Sequence, residues 1–308
     1  MKRRDALTRA WAGLGLVAGT SAVSLPAFAA NQPATARSLV VEAVQMPAWT
    51  EKDGKRYPLS PGDAVSAAQT VETARAAGLV LRMPEGSLVR LGEITQLKVQ
   101  KLEVSDTNGL IAVRSDLRLL EGFFRFVTSA VAKIVGQREL NVSVRTATIG
   151  IRGTDFWAMT DDKHDATCLF EGTVALNTRD QGVLKLDKPT AFWVRLFDQP
   201  VKPVGNATPD ELNKFLQSTE VQPGQGVAVV GGRWRVVAAT QNRGASAAVL
   251  QRQLREAGYP ALIKAAAVGG QSVHEVRINH LATRDDAQAI LKKIESMDGV
   301  KGRVTLGA

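Results

Sequence analysis

The sequence predicts a two-domain α+β protein: an all-β domain, built as a sandwich or as stacked β units, followed by a small ferredoxin/RNP-like module of order βαββαβ. Three observations predict it. From Ser38 to about Asp198 the chain consists of short alternating runs separated by glycine- or Asp/Asn-bearing turns, the texture of an all-β domain. After residue 232 the periodicity switches between strand-like and helix-like segments in the order expected of a split βαβ unit. Charge divides at the same place: residues 233–308 hold twelve Lys/Arg and six acids, whereas residues 30–232 hold twenty-three of each. The overall +9 therefore belongs to the first thirty residues and to the last module, which argues for a boundary near residue 232.

The elements follow in order. Residues 1–29 read as an export signal: Lys2, Arg3, Arg4 and Arg9 form a basic start, Ala10–Leu25 is apolar, and Ala27-Phe28-Ala29 has the form of a cleavage site. The twin arginine in "KRRDALT" resembles the twin-arginine export signal, with an ordinary secretory signal as the other reading. The apolar run is short and interrupted by Gly13, Gly15 and Gly19, so no stable membrane span is expected in the mature chain. The lone Cys168, in the apolar "ATCLFEG", rules out an internal disulfide and reads as a buried, inert thiol.

Residues 36–205 form the expected β domain. "SLVVEAV", "GLVLRM", "TQLKVQKLEV", "FFRFVTS" and "AFWVRLF" are among its strands. The stretch "LNVSVRTATIGI" (140–151) reads as one strand with Val142, Val144, Thr146 and Thr148 on one face, and "TDFWAM" as the next. Between them Gly150 and Gly153 bracket Arg152, followed by Thr154 and Phe156. A phosphate cradle would place its glycines before a helix, but a strand follows here, so these positions read as a bend or bulge and a structural motif. Arg152 is expected to be held by a carboxylate or by carbonyls at that corner. "LEGFFRF" and "FEGTVAL" repeat one pattern, apolar-Glu-Gly-x-apolar-x-apolar, whose glycine is expected to relieve a tight bend between consecutive strands.

Residues 206–232 are expected to hold a short helix and a linker. "TPDELNKFLQST" has Thr208 as cap, Pro209 in the first turn and Glu211 completing a capping box, with Leu212, Phe215 and Leu216 on one face. "QPGQG" and Gly231-Gly232 mark the linker.

In residues 233–308, "WRVVAAT" is a strand, "SAAVLQRQLREAGY" a helix, "ALIKAAAV" and "SVHEVRIN" strands joined at Gly269-Gly270, "TRDDAQAILKKIESM" a helix capped by Thr283 with Asp286 three residues on, and "GRVTLG" a closing strand. This module, with its opening Trp234-Arg235-Val236-Val237 and its "HEVRINHLATRDDA" (274–287), resembles a SPOR domain, and the resemblance implies binding of peptidoglycan glycan strands on the open face of the sheet. Strand parity puts Arg235, Val237 and Ala239 on that face, together with Glu275, Arg277 and Asn279. The candidate glycan-binding residues are Arg235, Val237, Thr240, Gln241, Arg277 and Asn279, because sugars are held by directed hydrogen bonds around an apolar platform. The module departs from the family pattern at Val237, where glutamine is frequent, at Ala239 and Asn279, where glycine-type residues occur, and at Gln241, where an aromatic is expected. The larger domain resembles the FecR family on "TATIGIRGTDFWA" and "LFEGTVAL"; in the transmembrane signalling members a cytoplasmic helical segment touches a sigma factor.

Other chemistry is not called for. "TDDKHDATC" gathers Asp161, Asp162, His164, Asp165 and Cys168, but a polar turn between two strands accounts for it and no metal site is expected. No nucleophile triad, zinc motif or phosphate loop occurs, so neither catalysis nor a cofactor is expected. The basic charge does not imply nucleic acid, since the chain is expected to be exported and the module lacks paired aromatic strands. The expectation is a non-enzymatic protein of the cell envelope: periplasmic, with enrichment at the division septum as a further possibility, holding glycan strands and presenting the β domain to an envelope protein or another wall component. The alternative is a signalling or regulatory protein whose β domain senses a partner.

Overall fold

The computed structural model describes residues 37–107, 110–129 and 138–307, so the signal-peptide expectation lies outside the described residues. Among those residues there are twenty strands and three helices, an α+β chain dominated by β structure. None of the helices is long and apolar enough to cross a membrane.

The first part is built on four long strands: β8 (Thr95–Thr107), β9 (Leu110–Val127), β11 (Ala147–Thr160) and β12 (His164–Thr178). Each of the last three changes neighbours midway. The first half of β9 pairs with β8 and with β10 (Arg138–Ser143), the latter in parallel. Its second half pairs with β7 (Leu88–Leu91) and β11. β12 pairs along β11, and exchanges β14 (Ala191–Leu196) for β13 (Gly182–Leu186).

The change of neighbour coincides with glycines at positive φ: Gly122 in β9 (+92°), Gly153 in β11 (+66°) and Gly172 in β12 (+86°). A Cβ at Gly172 would sit 2.5 Å from the Gly153 carbonyl oxygen, and one at Gly122 would sit 2.6 Å from the Ile94 oxygen. Only glycine fits such a bend under close backbone cover. The glycines of "LEG" and "FEG" therefore bend single strands from one set of partners to another, and do not separate consecutive strands as the repeat had implied. Behind them lies the main core, with Phe124, Phe126, Phe156 and Trp193 fully buried.

The stretch 140–151 is not one strand. β10 ends at Ser143 and β11 begins at Ala147, so Val144–Thr146 form a hairpin turn. No glycine, proline or asparagine marks it. The turn is held from outside: Asp165 Oδ2 accepts from both Thr146 N and Thr146 Oγ1 at 2.6 Å, and Asp165 Oδ1 accepts from Thr160 Oγ1 at 2.6 Å.

α1 (Pro209–Gln217) carries the capping box of Thr208 and Glu211. None of its residues is fully buried, and Phe215 stacks on Trp157 at 4.1 Å between ring centroids and on Phe192 at 5.5 Å. The glycine-bearing segment after it runs as β16 (Val227–Val229), which pairs with β1 (Leu39–Gln45) and touches Leu281.

The last part has the order β17 (Trp234–Gln241), α2 (Gly244–Glu256), β18 (Leu262–Val268), β19 (Gln271–Leu281), α3 (Arg284–Ile294) and β20 (Arg303–Leu306). The sheet order is β20-β17-β19-β18, all antiparallel. α2 buries Ala247, Leu250 and Leu254 against it, and α3 buries Ala287, Ile290 and Ile294.

Candidate binding face

Helices cover one side of this four-stranded sheet, and the registers identify what lies on the other. Val236 opposes Ile278 and both are fully buried beneath the helices, so the next pair, Val237 opposite Arg277, points away from them. Val237 also opposes Arg303 of β20, and Arg277 opposes Leu262 of β18. One row across the open face thus reads Arg303, Val237, Arg277, Leu262. Beyond it Arg235 opposes Thr305 on one side, while Thr240, Glu275 and Lys264 align on the other.

The centre of this face is an ion cluster. Glu275 is buried, with Arg277 Nε on its Oε2 at 2.7 Å and Arg303 Nη2 on its Oε1 at 2.5 Å. Arg303 Nη1 also donates to Thr240 Oγ1 at 3.2 Å. Burial pushes the Glu275 carboxyl upward, but the hydrogen bonds and charges of Arg277 and then Arg303 outweigh it and hold the pKa below its ordinary value. The result is a preorganised fork of two guanidiniums fixed in place by one carboxylate, with donors left over for a ligand. Arg235 is tied back to the Leu306 carbonyl by Nε at 3.2 Å and Nη2 at 3.0 Å. Asn279 has a buried Oδ1 with no hydrogen-bond partner among the described residues.

Parity misplaces two positions. The β17–β19 register shifts between Val237 and Ala239, so Ala239 opposes Val276, on the helix side and only 2% exposed. The one-residue bulge reverses the alternation beyond it, so Thr240, opposite Glu275, faces the open side and Gln241 opposes His274 on the helix side. Arg235, Val237, Thr240, Arg277 and Asn279 thus share the open side, while Ala239 and Gln241 do not. Val237 is 2% exposed between its two arginine neighbours, so it is a floor and not a contact platform. Arg303 was missed, although the alternation in "GRVTLG" pairs it with Thr305. The bulge itself has no signal in "VVAAT", where every residue is small or β-branched.

Among the described residues, contacts to the β domain include the helices and the linker. Gly258 lies against Trp49 and Pro47; Lys293 Nζ donates to the Met46 carbonyl at 3.2 Å and the Gln225 carbonyl at 2.9 Å. Asp286 Oδ1 accepts from the backbone N–H of Gly224, Gly226 and Val227 while its Oδ2 completes the helix cap at Thr283.

Around Gly153 the described side chains bond and pack within the β domain. Thr154 N donates to Thr128 Oγ1 at 2.9 Å, and Thr128 Oγ1 donates back to the Thr154 carbonyl at 2.9 Å. Asp155 receives a two-point contact from Arg125, and Phe156 fills the core between Phe124 and Phe126. Gly150 opposes Asn141 and Ala175 within the ladder. The Arg152 side chain lies outside the described residues. In "TDDKHDATC", Asp161 accepts from Lys163 N, His164 N and His164 Nδ1, and Asp165 is the buried turn clamp. Cys168 is fully buried, and burial pushes its thiol up to about 12.

Residues 69–175 match the family model of the FecR protein, and residues 230–304 match that of the SPOR domain. The chain therefore carries a FecR domain followed by a SPOR domain. SPOR domains bind peptidoglycan, and both families are binding or regulatory domains of the cell envelope and not catalytic ones. No curated protein matches the chain. Two crystal structures of a protein from Parabacteroides distasonis, provisionally described as an anti-sigma factor, are similar to it at 15% identity. They have TM-scores of 0.39 and 0.37, and in each case 77% of this chain and 97% of the other are covered.

Proposed function

We propose that the chain is an exported, non-enzymatic envelope protein that holds peptidoglycan glycan strands on the open face of residues 233–308. In this reading residues 1–29 are a cleaved signal, residues 36–205 are a β domain that engages an envelope protein or another wall component, and residues 206–232 are a docked connector. The protein resides in the periplasm, with the septum as a site of enrichment. The observation that supports the reading is the SPOR match over 230–304 on a four-stranded antiparallel sheet whose face away from the helices bears Arg235, Thr240, Arg277, Asn279 and Arg303. Guanidiniums held by Glu275 offer directed donors to hydroxyl and acetamido oxygens.

The test is co-sedimentation of the full chain with purified sacculi, before and after enzymatic removal of stem peptides. Retention on both, reduced about tenfold or more in Arg277→Ala, is expected, as a lost charge-assisted contact costs on the order of 1.5–3 kcal/mol. No retention on either preparation overturns the reading.

The FecR match over 69–175 favours a second reading, in which the β domain senses a partner and the SPOR domain only positions it. Deleting 233–308 separates the two. A sensor keeps its partner in crosslinking, whereas a wall-bound scaffold loses its location.

A further inference from the structure

We propose that β18 is a self-pairing edge, along which two copies of this chain join antiparallel about a twofold axis through Ala265. Among the described residues β18 pairs with β19 alone, so its other side presents backbone groups that no described strand pairs. Six of its seven residues are apolar, and Lys264 is the only charge from Pro260 to Gln271. Apart from Lys264, the devices that blunt an edge are few: the strand holds no proline, and its register with β19 runs without a shift from Leu262 opposite Arg277 to Val268 opposite Gln271. The sheet's other edge, β20, is four residues long and opens on Arg303, and β13, in the β domain, is five residues with Lys185 near its end.

The occupant follows from the sequence of the strand itself. Laid antiparallel on a second copy about Ala265, it sets Leu262 opposite Val268, Ile263 opposite Ala267 and Lys264 opposite Ala266. Each pair occurs twice, as an isologous interface requires. All seven residues are used and no charge meets a like charge. Sliding the axis to Lys264 would oppose two ammonium groups and shorten the ladder. The register also brings together Leu262 and Val268, the two large side chains of the strand that are most exposed, at 37% and 53%. A twofold normal to the sheet keeps both helix layers on one side. The two open faces then form a single eight-stranded surface with Lys264 of each copy near its middle. If the wall-binding reading holds, that surface binds glycan twice over, and avidity exceeds the affinity of one module.

Sedimentation of the full chain over a range of concentrations tests this without any wall material, so its outcome is independent of the wall-binding reading. A reversible dimer is expected. Ala266→Lys places two lysine pairs across the seam and weakens the dimer about tenfold, whereas Ala266→Glu faces Lys264 and preserves or tightens it. Circular dichroism of both variants separates loss of pairing from loss of fold. A Leu262→Cys, Val268→Cys variant should form a disulfide-linked dimer on oxidation, because opposed residues lie within bridging distance and Cys168 is buried. A chain that stays monomeric throughout, or a dimer on which the two Ala266 variants act alike, overturns the proposal.

Discussion

Asp165 shows what one side chain contributes to this fold. It is fully buried, and its two oxygens accept three hydrogen bonds from residues on two other segments, two of them from the turn at Thr146. A reader of the sequence sees an aspartate in a polar turn and has no local reason to send it elsewhere. The turn it holds, Val144–Thr146, was equally hidden, because the β-branched alternation runs unbroken through it. Asp165→Ala leaves buried donors without an acceptor and should cost about 3 kcal/mol in urea unfolding, while Asp162→Ala, at an exposed position, should cost almost nothing. Glu275 gives a second prediction at this scale. Its folded pKa lies below the ordinary 4.5, so its contribution is complete at neutral pH and is lost as the pH falls through the folded value. The stability difference between the wild type and Glu275→Gln should therefore be largest near neutrality and shrink in acid. A difference that does not change with pH would remove the arginine fork as its cause.

At the scale of elements, helices were the most legible part. Both capping boxes, Thr208 with Glu211 and Thr283 with Asp286, form as the spacing predicts, because a cap is a local bond between residues three apart. The strands were legible as strands but not in their lengths. Three of them pass through Gly122, Gly153 and Gly172 and keep going, since a glycine at positive φ bends a strand without ending it. What positions α1 is again non-local. The helix buries no residue fully and is anchored by Phe215 on Trp157 and Phe192, by Trp157 Nε1 donating to Ser218 Oγ at 2.9 Å, and by Glu220 receiving Arg90 and Arg125 just beyond it. Phe215→Ala removes the stack, worth about 0.5–1.5 kcal/mol beyond the buried area. Amide exchange in 209–217 should rise toward that of a free peptide while β11 stays protected, and the Trp157 emission should shift to the red. Unchanged protection in 209–217 would mean that the ion pairs at Glu220 suffice to hold the helix.

At the scale of the molecule, the charge asymmetry of the sequence pointed to a domain boundary near residue 232, and the glycines near 222–232 to a linker. That linker is pinned. Its strand β16 pairs with β1, its N–H groups at 224, 226 and 227 all donate to Asp286 of α3, and Lys293 of the same helix reaches the Met46 carbonyl. Composition cannot show this, because a glycine bound to a distant carboxylate and a glycine in a free loop are the same letter. At Gly258 the approach is close enough that a Cβ would meet Trp49 at 2.5 Å, so α2 ends directly on the β domain. Two domains joined through so many buried contacts should unfold as one. The chain is expected to give a single calorimetric transition whose calorimetric and van't Hoff enthalpies agree. Trp49→Ala empties the space between Pro47 and Gly258 and costs about 3–5 kcal/mol where a large buried aromatic is removed. Because that loss falls on the seam and not on either core, the transition should split in two. Sacculus binding by the same variant should survive, since the seam lies on the helix side and the arginine fork on the other. Two separate transitions in the unaltered chain would show instead that the seam does not couple the domains.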